Sequence, residues 1–188
     1  MKTNLYSTLD VTLPKNEKNA VIYLKNIETP LGTMIACAGE SGICMLEFSD
    51  RKSLGTELEE ISRHFGAQII PGESSVFATL EEELQEYFNG ERKMFSVPLS
   101  PVGTDFQKKV WEVLLKIPYG TSTSYREQAT ILGNPKAVRA VANANGLNKI
   151  SILIPCHRII GSNGTLTGYG GGIWRKQKLL ELEKAILI

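Results

Sequence analysis

Ser124-Tyr125-Arg126-Glu127-Gln128-Ala129-Thr130-Ile131-Leu132-Gly133-Asn134-Pro135-Lys136-Ala137-Val138-Arg139-Ala140-Val141-Ala142-Asn143-Ala144-Asn145-Gly146 reads as two short helices joined by a Gly-Asn-Pro turn. Asn134 is placed as the N-cap of the second helix and Pro135 at its first position, where a missing N–H costs nothing. That layout is a helix-turn-helix. At about 100° per residue, Ala137, Val138, Val141, Ala142 and Ala144 share one side of the second helix. Lys136, Arg139, Ala140 and Asn143 occupy the other. Two cations, an amide and a small alanine suit close approach to a nucleic-acid groove. A plain solvated face on an alanine-rich helix is the competing interpretation.

Working back toward the N-terminus, Thr104 caps a further helix whose Phe106, Val110, Trp111, Leu114 and Leu115 recur at helical spacing. Ile117-Pro118-Tyr119-Gly120 ends it. Residues 93–103, with Pro98 and Pro101, read as an extended linker. Residues 21–92 read as a separate sheet-and-helix unit. Val21 to Leu24, Met34 to Ala38 and Ile43 to Phe48 form an antiparallel meander, with turn signals at Thr29-Pro30-Leu31-Gly32 and Gly39-Glu40-Ser41-Gly42. Helices are expected at Ser53 to Phe65 and Phe77 to Asn89, and a short strand at Ala67 to Ile70. Cys37 and Cys44 fall inside strands as core residues, and His64 sits in a last helical turn, where it needs no function. Residues 1–20 read as a polar arm. The expected class is therefore α+β, with a small antiparallel-sheet-plus-helix domain followed by a mainly helical domain at 104–188. No chemistry is assigned to the first half.

Composition narrows the functional classes. A hydrophobic content of 42% with 22% charged residues is that of an ordinary globular protein, and no apolar run approaches a membrane span. Three cysteines without a CxxC spacing argue against a disulfide framework and for a reducing, cytoplasmic setting. With two histidines, His64 and His157, far apart in sequence, no metal-ligand spacing appears. Net charge is +1, but residues 1–103 carry nine Lys and Arg against fifteen Asp and Glu, and residues 104–188 carry twelve against five. A basic second half points to an anionic partner, nucleic acid first among them.

Beyond the helix pair lies Ile152-Leu153-Ile154-Pro155-Cys156-His157-Arg158-Ile159-Ile160. Ile152 to Ile154 and Ile159-Ile160 read as short buried strands, with Pro155 bending the chain between them. Cys156 alone is most simply a small buried hydrophobe. A neighbouring imidazole and guanidinium, both able to favour a thiolate, make it a candidate nucleophile. Gly168-Tyr169-Gly170-Gly171-Gly172 offers one aromatic among four glycines, as at the lip of a pocket or in a merely flexible loop. In the last helix, about Trp174 to Leu187, Glu183 projects into an apolar arc of Leu179, Leu180, Leu182, Ile186 and Leu187. A buried carboxylate is costly unless paired, and His157 or Arg158 is its natural partner; an edge glutamate that reaches out to water is the competing interpretation.

With these residues quoted, the chain resembles the O6-alkylguanine-DNA alkyltransferases. The likeness rests on Pro155-Cys156-His157-Arg158, on Asn148 before it, on Gly168-Tyr169-Gly170-Gly171-Gly172-Ile173-Trp174-Arg175-Lys176 after it, and on Ser124-Tyr125 and Arg139-Ala140-Val141 in the helix pair. It runs from about Val21 to Glu183.

The resemblance implies single-turnover repair of double-stranded DNA, bound in the minor groove by a monomer, with no metal and no soluble cofactor. Lys136, Arg139, Ala140, Asn143 and Tyr125 would contact DNA. Arg139 would replace an extruded O6-alkylguanine, or O4-alkylthymine, in the stack. Cys156 would take the alkyl group as a thioether. His157 would receive the thiol proton, through a water if the side chains diverge, and Glu183 would orient His157. Asn148 would link the helix pair to the cysteine turn. Tyr125, Cys156, Ile159, Tyr169 and Gly170 would line the base pocket, and Arg158 would tie down structure. Many relatives have an aliphatic residue at Gln128, and prolines where this chain has Lys149 and Ser151. A Cys-His hydrolase and a non-catalytic helix-turn-helix regulator are the alternatives.

Overall fold

The computed structural model describes residues 20–185. The sequence-expected arm therefore lies outside the described residues but for Ala20, as do Ile186 and Leu187 of the apolar arc. Three strands, β1 (Val21–Ile27), β2 (Met34–Gly39) and β3 (Gly42–Phe48), form the expected antiparallel meander. Gly32, at φ +113°, lets the first connection close with its N–H on Thr29 O at 3.0 Å. Helix α1 (Leu54–Phe65) then crosses over, and β4 (Gln68–Pro71) pairs in parallel with β1, giving the order β3-β2-β1-β4. The meander thus gains a fourth, parallel strand at its far edge.

Side chains alternate across this sheet. Ile22, Leu24, Ile35, Cys37, Cys44 and Met45 pack on α1 through Leu58 and Ile61, so both early cysteines are core residues as expected. Met34, Ala36, Ala38, Leu46 and Phe48 face helix α2 (Ser75–Phe88), which contributes Phe77, Leu80, Leu84 and Tyr87. Because β2 and β3 are covered on both faces, they read as near-continuous apolar runs.

The second face extends without a break into the other half. Val110, Trp111 and Leu114 of α3 (Asp105–Leu115) join the same core, with Val141 and Ala144 from the helix pair and Ile150 to Ile154 from the cysteine turn. The outer edge of β3 is occupied by the 93–103 stretch and by the second half. Ile43 exchanges backbone bonds with Pro98 O and the Ser100 N–H at 2.8 Å each, and Leu46 with Lys149 O at 2.9 Å and the Ser151 N–H at 2.8 Å. The 93–103 stretch accordingly lies against β3 rather than spanning open solvent. This covering of an edge strand holds the cysteine turn against the sheet.

Three elements differ from their sequence-based expectation. After α4 (Tyr125–Ile131), Gly133 at φ +76° stops the chain, and a turn over Asn134 to Ala137 closes with Ala137 N on Asn134 O. Helix α5 (Val138–Gly146) therefore begins at Val138, capped at Ala137. Asn134 is no N-cap, and Lys136 stands in the turn rather than on the helix. Ile152 to Ile154 form a turn and not a strand. Strands β5 (Thr123–Ser124) and β6 (Ile159–Ile160) pair in parallel, and α6 runs over Ile173–Leu182 with Glu183 as its C-cap, so it stops short of the expected Leu187 as Lys184 turns at φ +51°.

Candidate active site

The turn that carries Cys156 is built around one side chain. Asn148, 1% exposed, accepts the Ile150 N–H at 3.0 Å and donates its amide to Ile154 O at 2.9 Å and to the Cys156 sulfur at 3.3 Å. Those bonds replace the strand ladder that the apolar sequence suggested. They also hold Ile152 at φ +71°, a costly angle for a β-branched residue and one tolerated only where its surroundings enforce it. Pro155 then feeds a single 3-10 turn, Cys156–Arg158. In such a turn successive side chains diverge, so adjacency in sequence does not become contact.

His157 and Arg158 both point away from the thiol and toward Glu183. The carboxylate accepts His157 Nε2–H at 2.8 Å and both Arg158 Nε and Nη2 at 2.9 Å, while Arg158 Nη1 reaches Ile117 O at 2.6 Å. Burial alone pushes Glu183 up, but the hydrogen bonds and charges of His157 and Arg158 outweigh it and bring it down to about 2. Burial holds His157 below its ordinary value against the pull of Glu183, so the imidazole rests neutral. With Nε2 as donor, Nδ1 keeps its lone pair, and it has no protein partner among the described residues. Burial likewise raises the Cys156 thiol, which Asn148, Lys176 and Arg51 only partly offset. Cys156 thus rests as a thiol, 8% exposed, and the imidazole next to it in sequence is neutral.

Tyr125 donates its hydroxyl to Thr167 O at 3.2 Å, tying the start of α4 to the glycine lip. Tyr169 sits edge-on to the His157 ring at 6.5 Å. Gly170 has no room for a side chain, because a Cβ there would meet the Arg51 guanidinium at 1.8 Å. The Ile159 backbone is held in β6. Tyr125 and Tyr169 are near enough to Cys156 to feel its charge, and Ile159 shares a core cluster with it, whereas Arg139, Ala140 and Asn143 stand exposed on α5 and Lys136 in the turn before it. These latter four form a separate face, joined to the site through Asn148 at the end of α5.

The first half does contribute, contrary to expectation. Tyr87 of α2 donates its hydroxyl to Glu183 Oε1 at 2.8 Å. Glu47 at the end of β3, fully buried, accepts from Ser151 Oγ at 2.9 Å and from Arg51 Nη1 at 2.6 Å, and Arg51 Nη2 donates to Gly146 O at 2.9 Å. Lys176, also fully buried, donates to Ile159 O and to Thr167 O, and burial lowers it to about 8. No short-range pattern announces these residues. Tyr87 sits on an apolar helical face, Arg51 acts at long range, and Lys176 hides in a basic first turn.

Sequence profiles of two families match nearly the whole chain. These are the ribonuclease-like domain of 6-O-methylguanine DNA methyltransferase over residues 22–101 and its DNA binding domain over 105–185. The chain belongs to the methylated-DNA–protein-cysteine methyltransferase family. A constitutive methyltransferase of that name from Bacillus subtilis is 44% identical over 164 residues, 86% of this chain and 95% of the relative. One from Mycobacterium tuberculosis is 44% identical over 165 residues, 88% and 94% of the two chains. A crystal structure of the M. tuberculosis protein in complex with DNA superposes with a TM-score of 0.73 at 43% identity, over 86% of this chain and 92% of that one. In this member of the family Cys156 lies on a turn that packs in the core common to both halves.

Proposed function

We propose that this chain repairs alkylated DNA by moving the alkyl group of O6-alkylguanine irreversibly onto Cys156. The observation that carries the reading is the Glu183–His157 pair, 2.8 Å apart, with a free imidazole Nδ1 on the side away from the carboxylate. In this reading α5 enters the minor groove, and Arg139 takes the place of a base that swings out of the stack. Exposure of Arg139 and the small Ala140 beside it supports this. The base must come to the protein, because Cys156 is nearly covered.

A soft nucleophile suits displacement at an alkyl carbon. His157 Nδ1 takes the thiol proton through an intervening water, and Glu183 stabilises the resulting imidazolium. The thiolate forms the S–C bond as the C–O6 bond breaks, and the electron pair stays with guanine. A hydroxyl from Tyr125 or Tyr169 donates to the leaving base. Since the thioether is stable, each molecule acts once. The cytoplasm, where thiols stay reduced, suits such a nucleophile.

Duplex DNA carrying O6-methylguanine, incubated with the protein and followed by intact mass, should add one methyl of about 14 Da per chain, and Cys156→Ala should abolish the gain. Multiple turnovers, or a methyl on another residue, would refute the reading. Arg139→Ala should slow repair of duplex more than reaction with free O6-benzylguanine base. Equal losses would mean that Arg139 does not drive extrusion.

A further inference from the structure

We infer that Tyr87, on the helix of the first half, is a positioning residue for the reaction, holding Glu183 in place and limiting how strongly that carboxylate draws the His157 proton. The inference rests on the proposed role of His157 as the base.

The geometry shows a saturated carboxylate. A carboxylate offers about four lone-pair sites. Glu183 Oε1 takes the Tyr87 hydroxyl at 2.8 Å, His157 Nε2 at 2.8 Å and Arg158 Nη2 at 2.9 Å, while Oε2 takes Arg158 Nε at 2.9 Å and the Gly120 N–H at 3.3 Å. Tyr87 and His157 therefore share one oxygen. A donor on that oxygen spreads its charge and weakens its hold on the imidazolium, so the base stays neutral until the thiol proton arrives. A more strongly basic Glu183 would hold His157 protonated at rest, leaving nothing to receive that proton.

Tyr87 is built to stay a donor. Its side chain is fully buried, and both burial and the Glu183 charge push its phenol well above the ordinary value. The ring is fixed among Phe88, Phe95 and Tyr119, with centroids at 5.4, 5.3 and 6.1 Å. The other polar groups facing the pair are accounted for. Arg158 comes from the cysteine turn, Lys176 from α6 acts on His157 by charge, Tyr169 from the glycine lip lies edge-on to the imidazole, and Tyr119 donates to Leu182 O at 3.2 Å. Of these, the hydroxyl of Tyr87 is the one that reaches the carboxylate from the first half.

The test is a titration of His157 by NMR in protein with isotopically labelled histidine. The chain has two histidines, so a His64→Gln background leaves one imidazole signal. Tyr87→Phe keeps the ring and removes the donor. It should raise the His157 midpoint by roughly one pH unit and move the acid limb of the single-turnover rate upward with it. A variant that is less stable but has an unmoved His157 midpoint, or one moved downward, overturns the inference, since a purely structural tie leaves that midpoint alone. In the unmutated protein, a downfield hydroxyl proton of Tyr87 with a cross-peak to His157 Hε2 is expected, and its absence overturns the inference whether or not Tyr87→Phe folds. Glu183→Gln separates the two readings. If it slows methyl transfer while Tyr87→Phe leaves the midpoint unmoved, only the role of Tyr87 fails. If it leaves transfer untouched, the His157 base reading fails and this inference falls with it.

Discussion

Glu183 shows how one residue can be costly to bury and still stabilise the fold. Its carboxyl lies at about 2 in the folded protein, against an ordinary 4.5, because two partners overcome the desolvation that pushes the other way. A depressed carboxyl stabilises the folded state fully above its unfolded value, and that stability drains away as pH falls toward the folded value. Denaturant titrations of the unmutated protein should thus lose stability between about pH 4.5 and pH 2 in a way that Glu183→Gln does not. The variant should also be less stable at pH 7, because Arg158, 6% exposed, would keep its charge without a counter-charge. Parallel pH profiles for the two proteins would show that the carboxylate is not ionised in this network. The same residue was readable in the sequence, since a lone glutamate in an apolar arc demands a partner. Its second-half partners were readable too, because the His and Arg of the cysteine turn are natural counter-charges for it. Its partner from the first half was not, because Tyr87 looks like any other apolar position of α2.

At the scale of elements, the helix pair shows where pattern succeeds and where it stops. Apolar spacing correctly placed Val141 and Ala144 inward and Arg139 and Asn143 outward. It misplaced the start of α5, because Pro135 is equally at home at a first helical position and in a turn, and here Gly133 and Asn134 settle it as a turn. The cysteine turn failed for a related reason. A run of isoleucines says buried, but Asn148 supplies the bonds that a neighbouring strand would have supplied. Gln128 is likewise explained by a partner on the neighbouring helix. It is fully buried on α4 and exchanges amide bonds with Asn145 of α5, at 2.6 Å and 3.2 Å, while also reaching Val110 O at 3.2 Å. Either amide removed alone strands the other in the core. Gln128→Leu and Asn145→Leu should each cost on the order of 1–3 kcal/mol, and the double variant should cost less than their sum. Additive losses in a denaturation cycle would show that the pair does not lock the two helices.

For the molecule as a whole, the two segments matched by separate family profiles share one continuous core and a common set of polar ties. Three of those ties bear on the site from the first half: Tyr87 on Glu183, Glu47 on Ser151, and Arg51 on Gly146 O. Arg51 does the most. Its guanidinium pairs with Glu47 at 2.6 Å and Glu57 at 2.7 Å, closes the end of α5, and fills the space that Gly170 leaves. Burial pushes Glu47 up to about 7 even with Arg51 beside it, so without the arginine the carboxyl is held higher still and takes up a proton at neutral pH. Arg51→Ala should therefore cost about 1–3 kcal/mol at pH 7 through its lost hydrogen bonds and should lose further stability as pH rises above 7, a further loss that Glu47→Gln in the same chain should abolish. Because the core is continuous, unfolding should still occur as one transition when followed by Trp111 fluorescence in the second half and by far-ultraviolet circular dichroism over both. Two separated transitions would mean that each half stands on its own core. In that case the contacts of Tyr87, Glu47 and Arg51 would be incidental to folding, and a second half carrying Cys156 would be expected to transfer alkyl groups without the first.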